Sequence, residues 1–128
     1  MSTAPKPRPK YYDLSPVHLP TPGLVSILHR ISGLLLFFPV LPFLLYLLQS
    51  TLGSEEGYAR ARDFFDRPGV KIVMLGVVWL YAHHFWAGLR FLLLDLHWHV
   101  TKAPAQKAAA IVLVLGVVTT ILIGWKLW

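Results

Sequence analysis

The fold class this sequence predicts is an all-α integral membrane protein with three transmembrane helices, and three observations carry that reading. Apolar residues make up 55 % of the 128 and charged residues only 14 %, whereas a soluble domain needs about a quarter charged residues to cover its surface. Three long runs carry no formal charge: the twenty-four residues between Arg30 and Glu55, the eighteen between Lys71 and Arg90, and the eighteen between Lys107 and Lys126. Helped by flanking side chains that snorkel, each run reaches the ~20 apolar residues a helix needs to cross a bilayer. Finally, the net charge of +6 is spread singly between apolar blocks and forms no basic stripe. Membrane lipid headgroups, not nucleic acid, are the expected partner for that pattern. An ordinary water-soluble enzyme is excluded by the shortage of charge. The absence of cysteine excludes disulfides, thiolate metal sites, iron–sulfur ligation and covalent c-type haem.

In chain order, residues 1–22 are polar and rich in proline and lack the apolar core of a secretory signal. They read as an N-terminal cytoplasmic arm lying over the membrane surface or a partner protein. Residues 23–128 form the three-helix transmembrane domain, with spans expected at about 23–52, 69–97 and 105–128. Pro39 and Pro42 fall inside the first span, where a membrane helix tolerates the kink because its neighbours can satisfy the freed carbonyls. The connector Gly53–Gly69 is the only stretch of mixed charge. It predicts a short surface helix that dips Tyr58, Phe64 and Phe65 into the interface.

Orientation follows the Lys/Arg bias. With the N-terminus inside, Lys6, Arg8, Lys10, Arg30, Arg90, Lys102 and Lys107 lie on the inner side, and Arg60, Arg62, Arg67, Lys71 and Lys126 on the outer. Seven against five favours a cytoplasmic N-terminus and a periplasmic C-terminus. The start at Met1 without a transit peptide points to a bacterial inner membrane.

Polar side chains inside the spans need a reason, since a charge at mid-membrane costs about 2.5–3.5 kcal/mol on insertion scales. On the first helix Ser26, His29, Arg30 and Gly33 fall at i, i+3, i+4 and i+7, one stripe that carries donors and a cation. The second span holds His83 and His84, then Gly88 one turn on, Arg90, and Asp95 on nearly the same face as His84. Gly88 leaves a bare patch of backbone beside the His84 imidazole, which lets a flat macrocycle approach. His84 therefore reads as a haem ligand, and His83 as a hydrogen-bonded contact between helices. At 1.5 Å per residue, His84 lies roughly 18 Å and Arg30 roughly 10 Å from the inner ends of their spans. Haem propionates pointing inward would then approach His29 and Arg30.

Taken together, Arg8-Pro9, the S-x-x-H-R run Ser26 to Arg30 with Gly33, the H-x-x-x-G-x-R run His84 to Arg90, and Asp95 resemble the cytochrome b anchor subunits of succinate dehydrogenase, respiratory complex II. The likeness spans about residues 8–128. It implies an anchor that pairs with a second three-helix anchor, with one haem b between them held by an axial His from each. It also implies an iron–sulfur subunit and a flavoprotein subunit on the cytoplasmic face, passing electrons from succinate to ubiquinone. By the same resemblance His84 is the haem iron ligand, Ser26 and Arg30 bind the quinone, and His29 with Arg30 lies near the propionates. Asp95, at the inner end of the second span, is a candidate for the proton route. Many members have His after the second-span Arg, where this chain has Phe91. Two other readings stand beside this one: the anchor of a quinol:fumarate reductase, and a non-redox structural subunit whose His and Arg only join helices. The chain has neither cluster ligands nor a flavin domain, so succinate oxidation would belong to its partners.

Overall fold

The computed structural model describes residues 19–98 and 100–127; the Arg8-Pro9 pair and most of the N-terminal arm lie outside the described residues. Those described form four helices and no strand. Three are long and apolar enough to cross a membrane: α1 (Thr21–Gly53), α3 (Pro68–Asp95) and α4 (Lys102–Leu127). The short helix α2 (Glu55–Phe65) sits in the first connector. The protein is thus all-α, with three membrane spans. With 28 and 26 residues, α3 and α4 are each about 40 Å long, more than the ~30 Å of a hydrocarbon core.

Proline shapes α1. Pro22 stands in its first turn, where a missing N–H costs nothing. Pro39 and Pro42 withhold the donors that the Leu35 and Phe38 carbonyls would otherwise take. The helix responds with a π-helical turn at Leu36–Val40, and the Leu41 N–H reaches back five residues to the Leu36 carbonyl. A π-turn widens the helix without breaking it. The expected kink is therefore a bulge inside a continuous span.

Past α1 the chain doubles back sharply. Ser54 is extended, and its hydroxyl accepts from the Gly57 N–H at 3.0 Å, capping α2. Glu55 and Glu56 fill the first turn of α2, where carboxylates favour the helix dipole. Gly57 is buried against the Ser50 carbonyl and leaves no room for a Cβ there, so this turn needs glycine. Phe64 and Phe65 are half-buried, and Phe64 packs near Phe43 with ring centroids 6.2 Å apart; Tyr58 stays exposed.

The second span ends at Asp95, two residues before the expected boundary, because His97 adopts a left-handed conformation (φ 62°). The His97 N–H bonds the Leu94 carbonyl at 2.9 Å and the Trp98 N–H bonds the Leu93 carbonyl at 3.0 Å, a Schellman termination with His where glycine is usual. The third span begins three residues early, at Lys102, since Pro104 fits a first helical turn.

α3 packs along α4 and across α1, and α1 also touches α4. The shared core is small: Val25, Ala87, Ala109 and Val112, with Trp86 and Leu113 against it. Small residues let membrane helices approach closely, which replaces the hydrophobic driving force that lipid removes. The Trp86 indole N–H donates to the Thr119 hydroxyl at 3.0 Å, joining α3 to α4. Large apolar side chains such as Leu34, Phe37, Phe38, Ile111 and Ile121 point outward, as they do in a protein surrounded by acyl chains or by other helices.

Candidate functional site

Where α1 crosses α3, two imidazoles lie face to face. The His29 and His84 rings stack with centroids 4.2 Å apart and planes 9° apart. Each is admitted by a glycine of the opposite helix. A Cβ on Gly33 would sit 2.9 Å from His84 Cε1, too close for any side chain, and one on Gly88 would meet His29 Nε2 at 3.6 Å. His84 Nδ1 lies 3.1 Å from the Ser32 hydroxyl and 3.1 Å from the His29 carbonyl. Ser32, almost completely buried, donates to that same carbonyl at 2.9 Å. His84 Nε2 has no hydrogen bond to any described residue.

The far side of His84 opens onto a groove of about 460 Å³ lined by Gly33, Phe37, Leu41, Tyr81, Phe85 and neighbouring aliphatic side chains. Among the described lining residues, only His84 and Tyr81 have polar side-chain atoms. On the other side of His29, the Phe91 ring lies 5.1 Å away, tilted by 53°, and the Arg90 guanidinium stands 5.7 Å from the Phe91 centroid. Phe91 thus packs beside the imidazole pair through His29. Arg90 is buried at 6 % exposure, and its Nε has no hydrogen-bond partner.

The predicted stripe on α1 is brought only partly to this crossing. His29 and Gly33 face α3, Ser26 is half-buried, and Arg30 is exposed on the outer side of the helix. The face turned inward is centred on Val25, His29 and Ser32, with Val25 and Ser32 buried. Their spacing of i, i+4 and i+7 is as helical as that of the predicted stripe, but rotated by part of a turn. Ser32 was missed for that reason, although its i+7 relation to an apolar Val25 marks the inner face. Asp95 is exposed as the last residue of α3.

Two expectations need correction. The bare patch beside His84 comes from Gly33 on α1, because Gly88 faces His29 instead. His83 does lie between helices, fully buried against Gly116 of α4, but it makes no hydrogen bond. The Val25 backbone faces its ring without reaching hydrogen-bond geometry, and Trp79 stacks on it at 5.5 Å. Among the described residues no group of three or more His, Cys, Asp or Glu side chains could hold a metal ion.

Comparison with known proteins now joins this geometry. A family model described as "Succinate dehydrogenase/Fumarate reductase transmembrane subunit" matches residues 4–123. The chain is also 30 % identical over 122 residues to a succinate dehydrogenase cytochrome b556 subunit of Coxiella burnetii, covering 94 % of this chain and 97 % of that one.

Proposed function

Because this chain belongs to the succinate dehydrogenase/fumarate reductase transmembrane subunit family, we propose that it is the cytochrome b anchor of a succinate:ubiquinone oxidoreductase in a bacterial inner membrane. In this reading His84 would hold the iron of a haem b together with a ligand from a second anchor subunit. The observation that supports it best is the seat of His84. One ring nitrogen is held by α1, the other bonds no described residue, and the ring borders a 460 Å³ apolar groove. That donor set fits haem iron, which takes neutral imidazole through one nitrogen while a hydrogen bond at the other orients it. The backbone left bare at Gly33 is what lets the His84 ring sit this close to α1. When bound, the haem supplies a one-electron station inside the membrane.

The remaining roles belong to side chains around this seat. His29 and Arg30 would contact the haem propionates, Arg30 supplying the balancing charge. Ser26 donates a hydrogen bond to a quinone carbonyl, and Arg30, exposed on α1, stabilises the negative charge that grows on it during reduction. Asp95, exposed at the end of α3, begins a proton route from the cytoplasm. With its N-terminus cytoplasmic and C-terminus periplasmic, the anchor carries the iron–sulfur and flavoprotein subunits, which oxidise succinate in the tricarboxylic acid cycle.

A reduced-minus-oxidised spectrum of the purified complex tests the reading. His84→Ala should remove the b-type band or change its ligation, while His83→Ala keeps it. A normal bis-imidazole spectrum in His84→Ala, with loss in His83→Ala, would transfer the ligand role to the wrong neighbour and refute the assignment.

A further inference from the structure

We propose that Ser32 is a positioning residue that fixes the tautomer and tilt of His84, so that Nε2 is the nitrogen offered to the groove. The inference deepens the haem reading above and rests on it. The argument turns on the His29 carbonyl, which can only accept hydrogen bonds. It lies 3.1 Å from His84 Nδ1. Were Nδ1 the unprotonated nitrogen, two acceptors would face each other at 3.1 Å in a dry helix interface, a repulsive contact in place of a hydrogen bond. With a proton on Nδ1, that N–H donates to the His29 carbonyl and shares its bond with the Ser32 oxygen, also 3.1 Å away. The Ser32 hydroxyl is then free to donate to the same carbonyl at 2.9 Å, and all three groups are satisfied at once. No arrangement with the proton on Nε2 does this, because the single Ser32 proton cannot serve both Nδ1 and the carbonyl.

Two further features make Ser32 specific to this task. It is 1 % exposed, so water cannot replace its hydroxyl. Gly33, next in the chain, lets the His84 ring lie against α1 at all. Serine thus joins the ring to the helix, and the neighbouring glycine sets how close the ring can come. A carbonyl alone would leave the ring able to rotate about its Cβ–Cγ bond, and the hydroxyl supplies a second point.

The test uses the assembled complex in membranes with Ser32→Ala, Ser32→Thr and Ser32→Cys, and His84→Ala beside them. Ser32→Ala should retain haem but release it about tenfold faster, the usual scale for losing a group that orients a metal-ligating His. The low-spin ferric EPR signal should move its g-values, and the haem midpoint potential should rise, since an imidazole with fewer N–H acceptors donates less strongly to ferric iron. Ser32→Thr, which keeps the hydroxyl, should restore all three readouts. Ser32→Cys, close to serine in size but a weak hydrogen bonder, should follow Ser32→Ala, and it decides the matter if the alanine variant fails to assemble. Wild-type g-values, potential and haem release in both Ala and Cys variants, with haem lost in His84→Ala, would overturn the role of Ser32 while leaving His84 as ligand. A normal haem spectrum in His84→Ala would overturn both.

Discussion

On α3 the neighbouring imidazoles of His83 and His84 turn about 100° apart into two different seams. The seam with α1 is polar at its centre: a hydroxyl and a backbone carbonyl lie within 3.1 Å of His84, and a stacked imidazole covers its face. Around His83, which faces Gly116 of α4, no described group reaches hydrogen-bond geometry. His83 there meets Gly116 and the Trp79 ring, with both nitrogens buried and unbonded. A ligand needs one nitrogen anchored and one open, whereas a packing residue needs only to be enclosed. Residue type and chain position are nearly the same for the two, so the partners across the seam decide what each can do.

The difference is most open to attack at the glycines. Gly33→Leu should have the largest effect on the His84 seat, because its Cβ already falls 2.9 Å from His84 Cε1 and the branches beyond it would drive the ring off α1. Haem content of the isolated complex should fall to a small fraction of wild type. Gly88→Ala is the matched control, since its Cβ would meet His29 Nε2 at an ordinary 3.6 Å, and haem should stay. Full haem content in Gly33→Leu would mean that the two seams differ less than the geometry says.

A second experiment asks whether the outer side of α1 works separately from the crossing. Ser26→Ala and Arg30→Leu should each lower succinate:quinone activity about tenfold or more, corresponding to roughly 1.4 kcal/mol. Succinate oxidation with an artificial acceptor at the flavoprotein should survive in both variants, and haem content in Ser26→Ala. Unchanged quinone kinetics in both variants would place the quinone elsewhere.

The sequence showed much of this, but not evenly. Three uncharged runs are enough for three spans, since bilayer thickness sets helix length. Boundaries were missed by a few residues where local chemistry acts: His97 can take a left-handed cap usually left to glycine, and Pro104 is harmless in a first turn. At the site, helical spacing grouped His29 with Gly33 and singled out His84. It could not choose between stripes rotated by part of a turn, so it chose the one richest in polar residues and passed over Ser32. Nor could it see that Gly33 and Gly88 exchange partners across the crossing, because that depends on how two helices cross and no single helix records it.

The α3–α4 seam makes its own, smaller prediction. Thr119→Val removes the acceptor of the Trp86 indole N–H, now bonded at 3.0 Å, and leaves that donor without a partner. Thermal unfolding of the complex should show a loss of about 1 kcal/mol with the haem spectrum unchanged. A change in the spectrum would mean that this seam, too, supports the ligand.

The smallest effect is expected at His83, and it bears most directly on the comparison. A neutral imidazole carries one donor and one acceptor, and both are buried there without hydrogen bonds. Replacing such groups with an apolar side chain of similar size can be nearly neutral or stabilising, because no partner is left behind unsatisfied. His83→Leu should therefore leave the haem spectrum and succinate:quinone activity at wild-type values and shift stability by no more than about 1 kcal/mol, in either direction. The same substitution at His84 should leave the Ser32 hydroxyl and His29 carbonyl without their ring partner and remove the haem. If His83→Leu cost as much haem or stability as His84→Leu, the α4 seam would be holding a functional group, and the contrast between the two histidines would fail.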